Sequence, residues 1–264
     1  MNWHGHMVLD NCATWPRCFV DVISAAEKEL LSYYQEERWI DKQSESDLRL
    51  RSLRPQNPYE QVQHATLNAI SGSLANVQFI GFHCTRLTVD EIESVKTGGL
   101  HPLSVKLVKS RVNTLLEQSN VSESTARTIL DRNEAADSCR AGRVCLFHCL
   151  STLRDESGLF RLLRCWGGEA VYFWYEEDPH VFGELATIGT PCIVVASLKP
   201  SELIYNLAER IIKSYLFTIK GYGHERDIDM DSSIKHTVPV LEVISYNDSR
   251  FERLTNCSEW ESRI

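Results

Sequence analysis

The stretch that decides the fold runs Val77-Gln-Phe-Ile-Gly-Phe-His-Cys-Thr85, then Arg86-Leu-Thr88, then Val89-Asp-Glu-Ile-Glu-Ser-Val-Lys-Thr97-Gly98-Gly99-Leu100. Its first nine residues are rich in β-branched and aromatic types, the composition of a strand. Thr88 is a natural helix N-cap, and Thr88-x-x-Glu91 has the spacing of a capping box, so a helix is expected over Val89–Thr97. Gly98-Gly99 ends that helix, because glycine takes the left-handed backbone that a helix C-terminus asks for. The rest of the chain is arranged around this strand and its capped helix.

On the N-terminal side, Phe19–Tyr34 reads as a helix, with Val20, Ile23, Ala26, Leu30, Leu31 and Tyr34 at a period near 3.6. The polar stretch Asp41–Gln56 has little apolar periodicity. A second helix is expected over Tyr59–Ile70, broken by Ser71-Gly72-Ser73. Residues 1–76 thus read as a helical extension. On the C-terminal side, Lys106–Asp137 reads as two helices with a turn at Asn120–Ser122, and Gly142–Cys149 as a strand or extended segment. Thr190–Leu198 reads as a buried strand, Ser201–Tyr215 as a helix, Gly221–Ser233 as an exposed loop and Val238–Tyr246 as the last strand. Strands and helices out of strict alternation favour an α+β fold. Residues 77–264 form the expected main domain, with a helical insertion at about 106–164.

The length of 264 residues suits one large domain, or one domain plus an extension. Apolar residues make up 43% of the chain, enough for a core, which excludes wholesale disorder. The 28 Lys+Arg against 36 Asp+Glu leave a net charge of −8, which argues against a chain coated for nonspecific nucleic-acid binding. The basic residues nevertheless gather locally, at Lys106, Lys109, Arg111, Arg127, Arg132, Arg140, Arg143, Arg154, Arg161 and Arg164. Such a cluster is either a set of solvated helix faces or a track for phosphate backbones. No window approaches the roughly 18 apolar residues of a membrane span. The first residues lack a basic and apolar leader pattern, so a cytoplasmic location and no membrane partner are expected.

The nine cysteines are scattered and show no CxxC, which fits buried thiols in a reducing compartment. His4, His6, Cys12 and Cys18, like Cys139, Cys145, His148 and Cys149, match no common zinc spacing, so no metal is expected. Cys84 beside His83 and Cys149 beside His148 are sequence neighbours, which does not make a catalytic dyad.

Three motifs occur in a telling order. The first is Phe82-His83-Cys84-Thr85 with Ile92, Val95, Gly99 and Leu100. The second is Gly167-Gly-Glu-Ala-Val-Tyr172-Phe. The third is Glu242-Val-Ile-Ser-Tyr-Asn-Asp248. This order resembles the ADP-ribosyltransferase fold, in its His-Tyr-Glu branch, which includes the poly(ADP-ribose) polymerases and diphtheria-type toxins. The resemblance covers roughly residues 78–254. It implies a split β-sandwich with flanking helices that binds NAD as substrate in a cleft between two small sheets. It implies mono-ADP-ribosyl transfer to a macromolecule with release of nicotinamide, nucleic acid being slightly favoured over protein as acceptor because of the basic segment. It also implies a toxin or defence effector and, for a toxin, an antitoxin partner.

By the same resemblance the catalytic residues are Glu242, His83 and Tyr172, and NAD is held by His83, Cys84, Thr85, Tyr172 and Tyr175. Glu242 would stabilise the oxocarbenium-like ribose, Tyr172 would stack on nicotinamide and His83 would orient the ribose hydroxyls. Thr85 would brace the strand. Cys84 departs from the glycine that the family often carries there. The 89 residues from His83 to Tyr172 exceed the usual gap. Tyr175 remains an alternative to Tyr172, and Glu169 or Glu252 to Glu242. Rival readings are an RNA 2′-phosphotransferase, a noncatalytic NAD- or partner-binding module and an Arg-Ser-Glu transferase.

Overall fold

The computed structural model describes residues 3–46, 52–154, 156–203, 206–222 and 231–257. Strand β1 is short, His6–Met7. Helix α1 spans Arg17–Ala25 and α2 spans Glu27–Ser46. The single helix expected over 19–34 is divided at Ala26, whose φ is −111° and whose N–H turns back to the Ile23 and Ser24 carbonyls. Helix α2 continues through the polar residues 41–46. Its Glu, Gln and Lys residues are good helix formers, and Arg54 ties it through Glu37 and Asp41, each at 2.7 Å. Helix α3 is Glu60–Ser73.

Strand β2, Gln78–Leu87, is buried along nearly its whole length. Its glycine lets neighbouring side chains pack close: a Cβ at Gly81 would lie 2.9 Å from Leu198 Cδ1 and 3.2 Å from Leu146 Cβ. Helix α4, Val89–Gly98, carries the expected capping box between Thr88 and Glu91. It ends at Gly99 with φ +81°, where a Cβ would stand 2.6 Å from the Val238 carbonyl oxygen. Helices α5, Val105–Glu117, and α6, Glu123–Asp131, are capped by Ser104 and Ser122. Strand β3 is Val144–Phe147, and helices α7, α8 and α9 are Glu156–Arg164, Glu169–Tyr172 and Pro179–Thr187.

Strand β4, Thr190–Leu198, is fully buried from Cys192 to Ala196. Helix α10, Leu207–Lys213, starts later than the sequence implies and continues as a π-helix, Ser214–Ile219. Strands β5 and β6 are Asp231–Ile234 and Val240–Ser245, and helix α11 is Ser249–Thr255. Of the expected loop 221–233, residues 223–230 lie outside the described residues, and 231–234 form a strand.

The sheet has the order β5-β3-β2-β4-β6, with β1 paired in parallel to Gln78 and Phe79 of β2. The β3–β5 and β4–β6 pairs are antiparallel, the latter with an irregularity between Val195 and Ala196. Five of the strands follow one path of pairing, and β1 branches from it on β2. A single antiparallel register pair, Phe82↔Phe147, joins β2 to β3. The stretch 106–164 is therefore more than a helical insertion, since it supplies β3, an interior strand. The architecture is α+β with an open, mainly antiparallel sheet.

The chain divides into two compact units, Met1–Phe79 with Lys199–Ile228, and Ile80–Leu198 with Asp229–Ile264. The boundary expected after Asn76 thus falls at Phe79/Ile80. Residues 199–228, expected in the main domain, belong with the N-terminal helices. Helix α10 buries Leu207, Ala208, Ile211 and Ile212 and packs against α3, and Ser214 donates to the Leu9 carbonyl at 2.8 Å. In the second unit, α5, α6 and α9 close a cluster around Val112, Ile129, Trp166, Tyr172 and Leu185. Among the described residues no helix is long and apolar enough to cross a membrane.

Candidate active site

A cavity of about 280 Å³ opens in the second unit beside the middle of β2. Ligand pockets run from roughly 300 Å³ upward, so it suits a ring and its sugar rather than a whole dinucleotide. Its walls come from β2, α4, α5, the start of β3 and the turn before α8. The cap at Gly99 brings Leu100 into backbone pairing with Val238 in both directions, at 2.9 Å each way, which holds the loop after α4 as a wall.

His83 stands in this wall. Its Nδ1 lies 2.9 Å from the Cys145 carbonyl oxygen, which can only accept, so Nδ1 carries the proton and Nε2 is left as an acceptor. Burial pushes its pKa below the usual histidine value, the nearby Arg111 charge adds to this, and the Cys145 carbonyl opposes it. A neutral imidazole that can accept a hydroxyl hydrogen is the result. Cys84 and Thr85 line the same cavity and are buried. Burial drives the Cys84 thiol far above its usual range and raises that of Cys145, so neither is an activated nucleophile.

The second motif arrives here from the far side of the sequence. Gly167, Gly168, Glu169 and Ala170 line the cavity together with His83, Gly99 and Leu100. Tyr172, two residues on, does not. It is 2% exposed and packs into the helical cluster, where burial raises its phenol pKa. Tyr175 is also outside the lining. It is 6% exposed, and its hydroxyl lies 2.6 Å from the Arg132 carbonyl and 2.8 Å from that of Thr128, which braces the end of α6. Both rings are core side chains of the cluster, the placement that removes aromatic surface from water.

Glu242 is elsewhere as well. It sits on β6, at the end of the sheet order, opposite Val195, and accepts from Arg250 Nη1 at 2.7 Å. Arg250 also grips Asp248, whose carboxyl is pulled down to about 2 by those hydrogen bonds. Glu252 is exposed on α11. The structure thus brings together His83, Cys84 and Thr85, and of the alternative carboxylates it adds Glu169.

Several cavity residues lie outside the three motifs. Glu91 completes the capping box, accepting the Thr88 N–H at 2.9 Å. It also accepts the Trp166 indole N–H at 3.0 Å and Arg111 Nε at 2.7 Å. Burial alone would raise its pKa, but the charge and hydrogen bond of Arg111 overcome that and lower it. Arg111 also lies over the Trp166 ring at 4.5 Å. Arg140 pairs with Glu169 at 3.0 Å, Arg143 reaches Ser233, and His101 Nδ1 is 3.0 Å from Thr237 Oγ1. The density of basic residues over 106–164 was the one available hint of these arginines.

Among the described residues no group of three or more His, Cys, Asp or Glu is arranged to hold a metal. His148, from one of the two His/Cys groups named above, is fully buried between the Ile80 carbonyl and Ser232. No family model, no curated protein and no solved structure matches this chain.

Proposed function

We propose that the chain is an ADP-ribosyltransferase that cleaves NAD in the His83 cavity and passes ADP-ribose to a macromolecular acceptor. The observation that carries the reading is spatial. His83-Cys84-Thr85, Gly99-Leu100 and Gly167–Ala170, distant in sequence, line one cavity of a size for a ring with its sugar. The thin joint between β2 and β3 leaves the split-sandwich form of the fold open to the same reading.

In the reaction the bond between nicotinamide and ribose breaks, the ring leaves with the electron pair and positive charge spreads over the sugar carbon and ring oxygen, as in glycoside hydrolysis. The neutral His83 accepts a ribose hydroxyl at Nε2. Glu169, paired with Arg140 at 3.0 Å but with a side chain still 40% exposed at the cavity, faces the developing charge in place of Glu242. Glu91 is committed to its cap and to Arg111. The apolar wall of Leu100, Leu103 and Leu107 receives the departing ring. An acceptor hydroxyl, amine or base nitrogen then bonds to the sugar carbon, and its proton passes to solvent.

A phosphotransferase reading is favoured by one observation, the three arginines on the cavity wall, since a phosphate clamp needs such groups. Labelled NAD separates the two. The protein is incubated with NAD labelled in its adenylate half and, in separate tubes, with RNA, DNA and lysate protein. Label enters one pool and nicotinamide is released. His83→Ala and Glu169→Gln lower release by about 100-fold or more, and Glu242→Gln leaves it within a few-fold. No nicotinamide release from the wild-type protein with any pool refutes the proposal.

A further inference from the structure

The three guanidinium groups of the cavity differ in what holds them. Arg111 is engaged by Glu91 at 2.7 Å and by the Trp166 ring. Arg140 is 3.0 Å from Glu169 and 3.9 Å from both Glu134 and Asp137. Arg143 has no carboxylate partner among the described residues. Its described side-chain contact is a 3.4 Å donation from Nη1 to the Ser233 hydroxyl.

The backbone that carries Arg143 is nevertheless fixed to the cavity wall. Its carbonyl accepts the Leu103 N–H at 3.0 Å, and the adjacent Gly142 N–H donates to the Leu103 carbonyl at 2.7 Å. The next residue, Val144, opens β3 and pairs in register with Ile234. Arg143 therefore lines the cavity on a braced segment, and among the described residues its guanidinium keeps most of its donors open. A cation against a partly apolar wall is poorly solvated and gains most from an anion that enters with the ligand. The planar fork of arginine matches two oxygens of one phosphoryl group.

We propose that Arg143 anchors a phosphoryl group of the ligand through paired charge-assisted hydrogen bonds, while Arg111 and Arg140, already neutralised, shape the wall. This rests on the proposed function in one respect: on that reading the phosphoryl group is the diphosphate of NAD.

The test is calorimetric titration of the full chain with NAD, ADP-ribose, inorganic pyrophosphate and nicotinamide riboside, repeated on Arg143→Gln and Arg143→Lys, beside steady-state nicotinamide release. Arg143→Gln is expected to weaken NAD, ADP-ribose and pyrophosphate by about 10- to 100-fold, the range of one or two charged hydrogen bonds. It leaves nicotinamide riboside, which has no phosphate, unchanged. The loss appears in KM for NAD rather than in kcat, and Arg143→Lys recovers part of it. Should the glutamine variant lower the melting temperature, the lysine variant carries the test, through a several-fold loss of pyrophosphate affinity. Equal binding of NAD by wild type and Arg143→Gln overturns the anchor and leaves the NAD reading standing. Binding of pyrophosphate through Arg143 without any nicotinamide release keeps the anchor and removes the NAD reading. Failure of the wild-type protein to bind any of the phosphoryl ligands overturns the anchor.

Discussion

His148 offers a sharp test of the packing around β2 and β5. It is 0% exposed, with Nδ1 2.9 Å from the Ile80 carbonyl and Nε2 2.8 Å from Ser232 Oγ. The carbonyl can only accept, so Nδ1 carries the hydrogen and Ser232 donates to Nε2. Both nitrogens are satisfied in the neutral ring, and a second proton would bury a charge. Burial accordingly takes the pKa from 6.5 to about 4, against smaller opposing effects of the Ile80 bond and the Asp231 charge. Between those values the unfolded chain binds the proton and the native chain does not, so stability falls as pH falls. The contribution is absent above pH 6.5, costs about 1 kcal/mol at pH 5.5 and about 2 to 3 kcal/mol at pH 4.5. His83, with its pKa also lowered, acts in the same direction. Urea unfolding at pH 7.5, 6.5, 5.5 and 4.5 reads the slope. His148→Gln removes this titration and flattens the profile from 6.5 to 4.5, at the cost of a lower plateau at neutral pH. His83→Gln serves as the control for the other histidine. An unchanged slope in His148→Gln would refute the assignment of a buried neutral imidazole.

Three further outcomes follow from named contacts. Gly99→Ala forces a side chain at φ +81° and within 2.6 Å of the Val238 carbonyl oxygen, and is expected to cost at least about 1 kcal/mol of unfolding free energy measured by urea titration and to impair ligand binding, since the same loop lines the cavity. Glu91→Gln strips the charge that Arg111, Trp166 and the Thr88 N–H share; a loss of about 2 kcal/mol is expected by thermal melting, and an unchanged melting temperature would show that the network is not formed. Tyr175→Phe deletes a hydroxyl bonded to the Thr128 and Arg132 carbonyls, so stability drops by about 1 kcal/mol while nicotinamide release is kept; loss of turnover without loss of stability would return Tyr175 to the NAD site.

Local signals were legible where the physics is local. The capping box and the glycine stop of α4 depend on residues a few positions apart, and the strands β2 and β4 on apolar runs. The polar half of α2 was not, because nothing apolar marks a helix face that ion pairs with Arg54 help to hold. Nor was β5, whose Asp231-Ser-Ser-Ile234 has no strand composition and becomes one by pairing with β3 across about 90 residues.

The α+β character, the strand-to-helix unit at 77–100 and the place of His83 within it follow from propensity, capping and periodicity along short stretches. Long-range packing sets which distant residues meet His83. It turned Tyr172 and Tyr175 into a core, where aromatic area is best buried, and left Glu242 with Arg250 at the end of the sheet order. It brought Glu169 and the three arginines to the cavity instead, because α5 with Arg111, the segment carrying Arg140 and Arg143, and the turn at Gly167-Gly168 all border it beside β2, a meeting that no sequence spacing encodes.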